Sequence, residues 1–232
     1  MTLRQCVILA GGLGTRLGDL TRETPKPLLE VAGRPFLEHL LAKAAGHGLD
    51  RALLLVGHNA GAVDTWLAER RPAERYGLEI ALSVEPEPLG TGGALALARP
   101  ALDDAFLLMN GDTWFAFDWS DLARADVADA VLALREVAPA DRYETVDLDP
   151  QGRVTRFAPR DPALVRGLIN GGVYRLRRSA VPEAVAPVSL ERDVLPALSR
   201  EGRAHGRVYD GAFIDIGVPD SFAAAQDLLA AG

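Results

Sequence analysis

Residues 8 to 29 read "ILAGGLGTRLGDLTRETPKPLL". A short apolar run breaks into Gly11, Gly12 and Gly14, with Thr15 and Arg16 directly behind, and further on Lys26 stands between Pro25 and Pro27. Glycines allow positive φ and let backbone N–H groups approach an anion without obstruction by Cβ, which is how phosphate nests are made. Arg16 adds a planar cation with several donors, and each hydrogen bond to a charged group is worth roughly 1.5–3 kcal/mol. A bare backbone, a guanidinium and an ammonium so close together fit a nucleoside triphosphate. Taken alone, the glycines also fit a sharp strand-to-helix turn with no ligand; Thr15, Arg16 and Lys26 beside them favour the anion.

Two familiar phosphate motifs are absent. The loop of P-loop NTPases needs G-x-x-x-x-G-K-[ST], and no Lys-Ser or Lys-Thr pair occurs in the chain. The dinucleotide fingerprint G-x-G-x-x-G fails because Gly12-Leu13-Gly14-Thr15-Arg16 is followed by Leu17.

Outward from this stretch, apolar strand-like runs alternate with helical ones. "QCVILA" reads as a buried strand, "PFLEHLLAKAAG" as an amphipathic helix with Pro35 in its first turn, and "RALLLVG" as a second strand. "GAVDTWLAERR" continues as helix, "LEIALSV" as strand, "TGGALALARPAL" as helix, "AFLLMNGD" as strand into loop and "DWSDLARA" as helix. Continuous apolar strands separated by helices imply a parallel sheet buried on both faces. After about Ala128 the rhythm changes: "DAVLALREV", "ETVDLD", "GRVTRFA" and "LINGGVYRL" follow with few helices between, and "DPQG" at 149 to 152 is a turn signal. The chain closes with helical "SLERDVLPALSREG", strand-like "RVYDG" and "FIDIG", and a helix from Pro219 to Ala230. The expected fold is α/β: a Rossmann-like, mostly parallel sheet flanked by helices, with a small antiparallel extension. One domain is expected over 1–232, its nucleotide-binding half about 1–127 and its sugar-binding half about 128–232.

Composition narrows the class. The 232 residues are 48% hydrophobic and 25% charged, the profile of a globular protein with one substantial core. A net charge of −7 argues against a general nucleic-acid surface, which depends on clustered Lys and Arg. A single cysteine, Cys6, excludes an internal disulfide and reads as a small buried hydrophobe. No stretch has the roughly 18 apolar residues of a membrane span, and the first five residues lack the long apolar region of a secretion signal. A cytoplasmic protein with no membrane and no nucleic-acid partner is expected. Of the 25 basic residues only Lys26 and Lys43 are lysines. Lys43, in an Ala-rich helical stretch, reads as a solvated surface residue, so rarity alone proves little; Lys26, between Pro25 and Pro27, is the better candidate.

"LAGGLGTRL" followed by "TPKPLL" resembles the signature of the sugar-1-phosphate nucleotidylyltransferases, and the likeness extends along nearly the whole chain. "EPLGTGGAL" at 87 to 95 resembles that family's nucleobase-facing segment, and "LMNGDTWF" at 108 to 115 its metal-binding loop. "INGGVYRL" at 169 to 176 resembles its sugar-contacting strand, and "FIDIGVPDSF" at 213 to 222 its second metal-binding element. The resemblance implies a GT-A-like nucleotidyltransferase fold and transfer of a nucleotidyl group from an NTP to a sugar 1-phosphate, with release of pyrophosphate. Within the family, "DRYETV", "GLINGGVY", "SLERDV" and "FIDIGVP" look most like the members that use GTP and D-glycero-D-manno-heptose 1-phosphate. UTP with an amino-sugar 1-phosphate such as N-acetylmuramate 1-phosphate is the nearest competitor. A non-catalytic module sensing nucleotide sugars is the reading from another class. Metal-dependent glycosyltransferases usually present Asp-x-Asp after a strand, where this chain has Asn-Gly-Asp. The chain ends after its last helix, so no acyltransferase-like extra domain is expected; the oligomeric state is left open.

The resemblance also implies roles. Asp112 and Asp215 are the expected ligands of Mg2+, a hard cation that takes one or two carboxylates plus phosphate oxygens. A turn-closing aspartate and a structural ion pair are the plainer alternatives. Asp215, between Ile214 and Ile216, sits where an apolar strand avoids charge unless a partner or metal is present. Lys26 is expected to bridge the α-phosphate and the sugar phosphate, and Arg16 to grip the β- and γ-phosphates; with Asp112 these form the catalytic set. Leu9, Gly11, Gly12, Gly14, Thr15, Glu85, Gly90 and Thr91 complete the nucleotide site. For Glu85, reading a guanine edge and closing a loop stand equal, and Gly90 equally fits a turn cap. Asn170, Gly171 and Glu191 are expected at the sugar, with a β-bulge as the alternative at Gly171 and Gly172. The family often carries Glu-Lys after the strand matching "VTRF", the lysine meeting the sugar phosphate. Here the same positions are Pro159-Arg160, so Arg160 is the expected substitute, although guanidinium and ammonium differ.

Overall fold

The computed structural model of the protein describes residues 3–12 and 14–230, with the backbone alone for Thr15, Arg22 and Glu23. The fold is α/β and Rossmann-like, with parallel and antiparallel strand pairing and flanking helices. Two compact units make up the chain.

One unit comprises Arg4–Pro88, Met109–Trp114 and the chain from Ile214 onward. It is built on three parallel strands, Gln5–Leu9, Arg51–Val56 and Glu79–Val84, in the register Leu9↔Leu55 and Val56↔Val84. Cys6, Val7, Ile8, Leu53 and Leu54 are buried, as are Leu37, Leu40 and Leu41 on one face of helix Phe36–Gly46. Each such aliphatic side chain contributes up to about 1.5–3 kcal/mol by leaving water. Burial pushes the Cys6 thiol up to about 12, which leaves it a protonated hydrophobe at neutral pH. The expectation of strands buried on both faces holds for the first two strands. It does not hold for Glu79–Val84, the outermost of the three, which is partly exposed along its length.

Main-chain pairing runs past the strand ends in this unit. Ala10 N donates to Leu55 O at 2.8 Å, Glu85 N to Val56 O at 2.9 Å and Gly111 N to Leu9 O at 2.9 Å. The turns after Leu9, Val56, Val84 and Asn110 therefore all leave from the carboxyl rim of the parallel strands, where ligands of open α/β sheets bind.

The other unit comprises Leu89–Leu108 and Phe115–Phe213, together with Leu3. Its strands Ala130–Val137 and Gly167–Arg177 pair antiparallel, as do Thr145–Leu148 and Val154–Ala158. The turn expected at 149 to 152 joins the latter two: Gly152 N donates to Asp149 O at 2.9 Å with Gly152 at φ 80°. The strand expected at 207 to 211 lies instead at Ala204–Val208, parallel to Ala130–Val137. Gly206 hides it from a propensity reading. A Cβ there would lie 2.5 Å from Leu134 Cδ1, so close packing demands the residue least suited to strands. The helical "SLERDVLPALSREG" begins as a π turn over Leu190–Val194, capped by the Ser189 hydroxyl, and continues as an α-helix over Leu195–Arg200. No helix among the described residues is long and apolar enough to cross a membrane.

Candidate active site

At the carboxyl rim of the parallel strands the glycine turn folds onto the lysine segment. Gly14 has φ 65°, and a Cβ there would lie 2.8 Å from Thr21 Cγ2 and 3.3 Å from Lys26 Cβ. Thr21 Oγ1 donates to Gly14 O at 3.1 Å. Gly11 is needed for close approach, because its Cβ would meet Glu85 Oε1 at 2.9 Å and Gly57 N at 3.3 Å. Nothing in the structure requires glycine at Gly12, which faces open space. Leu9 ends its strand, Arg16 is exposed in a single turn over Thr15–Leu17, and the Thr15 side chain lies outside the described residues.

Lys26 is buried, its side chain 10% exposed, and Nζ donates to Asp112 Oδ2 at 2.6 Å. Pro25 and Pro27 restrict the backbone on either side, in a short 3-10 turn over Lys26–Leu28. Asp112 lies in the turn after strand Ala105–Asn110 and also accepts from Thr113 Oγ1 at 3.0 Å. Its carbonyl accepts from Ile216 N at 2.8 Å, which draws the Asp215 segment alongside. Asp215 Oδ1 accepts from Gly217 N at 2.9 Å. A Cβ at Gly217 would lie 2.6 Å from that oxygen and 3.5 Å from Lys26 Nζ, so one lysine and two aspartates from three distant stretches surround a single point.

Two carboxylates beside an anion-binding turn suit a hard divalent cation that draws its other ligands from phosphate. Just before this loop, the buried Asn110 Oδ1 has no hydrogen-bond partner among the described residues. Among the described residues no group of three or more His, Cys, Asp or Glu side chains is placed to hold a metal by protein ligands alone.

The same unit holds a contact that the sequence reading did not find. Lys43 Nζ sits 4.7 Å above the ring of Trp114, and His39 meets the edge of that ring at 6.3 Å. Lys43 is thus packed as a cation on an aromatic face and is not simply solvated. A tryptophan two residues after Asp112 was the available signal. His39 is buried and donates from Nε2 to Val31 O at 2.7 Å, and burial is the main influence holding its pKa below the usual imidazole value.

In the other unit, Gly90 and Thr91 open helix Gly90–Ala98; Gly90 packs against Val188, and Thr91 is bound to the π turn. Gly90 has φ 70°, with room for a Cβ blocked by Val188 O at 2.7 Å. Thr91 Oγ1 donates to Glu191 Oε2 at 2.7 Å and accepts from Leu190 N at 2.8 Å. Asn170 donates to Tyr174 Oη at 2.8 Å and accepts from Gly172 N at 3.1 Å. The strand register shifts between Asn170 and Tyr174, so the β-bulge at Gly171 and Gly172 is present. Gly171 is packed so that a Cβ would meet Phe115 at 2.6 Å.

Two cavities flank strand Val154–Ala158. One, of about 460 Å3, lies toward helix Leu195–Arg200 and takes in Glu144, Pro159 and Glu191; the other, of about 450 Å3, takes in Arg156, Arg160 and Arg166. Arg160 donates from Nε to Asp141 O at 2.9 Å. The structure thus brings Lys26, Asp112 and Asp215 together, and Glu85 to Gly11, while Arg160 and Glu191 line different cavities.

The chain belongs to the nucleotidyl transferase family, whose model matches residues 5–232, and it is an enzyme of the nucleotidyltransferase class. It is 34% identical over 229 residues to the D-glycero-alpha-D-manno-heptose 1-phosphate guanylyltransferase of Aneurinibacillus thermoaerophilus, covering 96% of each chain. To the protein of the same name from Campylobacter jejuni subsp. jejuni it is 32% identical over 219 residues, covering 94% of this chain and 96% of that one. Its structure is similar, with a TM-score of 0.86 and 30% identity, to the crystal structure of HddC from Yersinia pseudotuberculosis complexed with GMP-PN; 98% of this chain and 100% of that chain are covered. Divalent-metal dependence is typical of this family.

Proposed function

We propose that the enzyme joins GTP to D-glycero-D-manno-heptose 1-phosphate in the cytoplasm, giving the GDP-sugar and pyrophosphate. The observation that carries this reading is the meeting of Lys26, Asp112 and Asp215 beside the glycine turn, in a chain similar over nearly its full length to guanylyltransferases of that sugar.

A phosphate oxygen of the sugar 1-phosphate attacks the α-phosphorus of GTP in line. The new P–O bond forms as the bond from the α-phosphorus to the bridging oxygen breaks, and the electron pair leaves with pyrophosphate. No covalent enzyme intermediate is needed, so the protein's work is positioning and charge neutralisation. Lys26 holds two mutually repelling anions, the α-phosphate and the sugar phosphate. Backbone N–H groups around Gly11 and Gly14, with the Arg16 guanidinium, take the β- and γ-phosphates and stabilise the leaving group. The Glu85 carboxylate, poised against Gly11, accepts hydrogen bonds from the guanine edge. Asp112 and Asp215 would hold Mg2+, which supplies electrostatic neutralisation of the phosphates when bound.

The test is a matrix of the four NTPs against several sugar 1-phosphates, scored by pyrophosphate release with Mg2+. GTP with the heptose 1-phosphate is expected to give the highest kcat/KM. A preference for UTP with an amino-sugar 1-phosphate would replace the substrate pair, and no pyrophosphate from any pair would leave a sensing module.

A further inference from the structure

Asp215 lies just before helix Pro219–Ala230, within the same unit as Lys26. The start of that helix is tied to the Asp215 segment, because Phe222 N donates to Val218 O at 2.9 Å and Ser221 Oγ to the same carbonyl at 3.1 Å. The helix buries only Ala225 and Leu229, so apolar packing alone fixes its position weakly. Between those two stands Gln226, and both ends of its amide are bonded to main chain in the hairpin that follows the lysine turn. Oε1 accepts from Ala32 N at 2.8 Å, and Nε2 donates to Glu30 O at 3.0 Å. Glu30–Val31 and Arg34–Pro35 are the strands of this hairpin. At its base Phe36 N donates to Leu29 O at 3.0 Å, and Leu29 N donates to Lys26 O at 3.2 Å. A continuous path thus runs from Lys26 through the hairpin, the Gln226 amide and the helix to Asp215. The hairpin turn is itself demanding: Ala32 has φ 50° and Gly33 φ 79°, and a Cβ disfavours positive φ at the first of these.

We infer that Gln226 is a positioning residue: its amide fastens the hairpin after Lys26 to the helix after Asp215, and so sets the ammonium and the carboxylate relative to one another. An amide suits the task because it offers an acceptor and a donor at once, matched here to one main-chain N–H and one main-chain carbonyl. Bonds to main chain at both ends leave the side chain little freedom, so displacement of the hairpin is passed to the helix. Gln226 acts through Lys26 and Asp215 alone. The inference rests on the roles proposed for those two residues and names the group that keeps them in register.

The experiment compares Gln226→Met, which keeps the bulk of the side chain and removes both bonds, with the wild type. Turnover is measured with GTP and the sugar phosphate, and amide hydrogen exchange over residues 213 to 218 is followed without substrate or metal. The variant is expected to lose about tenfold in kcat while the KM for GTP stays within about twofold, because misplacing a reacting group by roughly 1 Å can cost up to about 100-fold in rate. Ile216 N and Gly217 N, which donate to Asp112 O and Asp215 Oδ1, are expected to exchange about fivefold faster. Unchanged exchange at these amides, or an unchanged kcat, overturns the assignment. Adding Ala32→Gly relieves the turn without restoring the link to the helix. Persistence of the slow turnover and fast exchange in that double variant supports positioning; recovery of both overturns it, because Gln226 would then only stabilise the turn. Absence of wild-type turnover, or full turnover by Asp215→Asn, refutes the proposed activity or the metal role of Asp215 instead. Exchange alone then decides whether Gln226 fixes the Asp215 segment: faster exchange in Gln226→Met supports it, and equal exchange overturns it.

Discussion

Lys26 Nζ and Asp112 Oδ2 lie 2.6 Å apart although 86 residues separate them in the chain. The lysine side chain is 10% exposed and the aspartate 36%, so the ammonium is almost enclosed while the carboxylate still faces solvent. The two meet because the turn after strand Ala105–Asn110 and the proline-bracketed turn both sit at the rim where the parallel strands end. An ammonium held there keeps its charge available to a phosphate that approaches from the open side.

Replacing Lys26 by alanine is expected to lower kcat/KM by at least about 100-fold, or ~2.7 kcal/mol in transition-state stabilisation. Arginine is not expected to restore it, because the planar guanidinium does not fit a buried site shaped for a compact ammonium. The melting temperature should change little, since Asp112 left without its partner remains in reach of water. Pyrophosphate release and a thermal melt check the two halves; a loss under about tenfold would make the lysine a bystander.

Asp215→Asn is expected to abolish turnover with the melt unchanged. Gly217→Ala attacks the same carboxylate indirectly, because its Cβ would have to occupy a point 2.6 Å from Asp215 Oδ1. Turnover titrated against Mg2+ should require more metal in Gly217→Ala than in the wild type. Superimposable titrations of wild type and Gly217→Ala, together with full activity in Asp215→Asn, would remove Asp215 from the metal.

Glu85→Gln is expected to alter the ranking of the four NTPs, since an amide presents a donor where the carboxylate presents an acceptor. Gly11→Ala should raise the KM for GTP while sparing that for the sugar phosphate, because the added methyl pushes on Glu85 Oε1. An unchanged base ranking in Glu85→Gln returns that residue to loop closure.

His39 sets an acid limb on stability. Burial, with Arg34 nearby, lowers its pKa in the folded state, against the raising effects of its bond to Val31 O and of Glu38. The unfolded chain therefore takes up the proton first as pH drops below about 6.5, and the folded state loses stability in that direction. Above that pH the contribution is fully present. Urea unfolding at several pH values should show a shallower decline below pH 6.5 in His39→Gln than in the wild type; identical slopes would contradict the assignment.

Much of the parallel unit could be read from residue order, because Gln5–Leu9 and Arg51–Val56 are continuous apolar runs and the helices between them place Leu37, Leu40 and Leu41 on one face. The glycine turn and Lys26 were expected at an anion because bare backbone and an ammonium suit one, Asp215 was expected because a charge stands between two isoleucines, and Asp112 from its place after an apolar run and the family resemblance. What was not legible depends on partners distant in sequence. Thr91 is fastened to Glu191 across 100 positions, and Lys43 looks solvated until Trp114 is brought beneath it. Strand Ala204–Val208 was misplaced because packing against Leu134 selects glycine there over a good strand former. The side of the hairpin on which Arg160 or Glu144 opens is decided by a register that no local pattern records.

The prolines on either side of Lys26 carry a thermodynamic consequence. Ordering a lysine tail ordinarily costs up to about 2 kcal/mol of rotamer freedom. Here the stiff backbone and the bond to Asp112 meet that cost as the chain folds, before any substrate arrives. Calorimetry of GTP binding should accordingly find a smaller entropic penalty in the natural chain than in one with Pro25 and Pro27 changed to alanine.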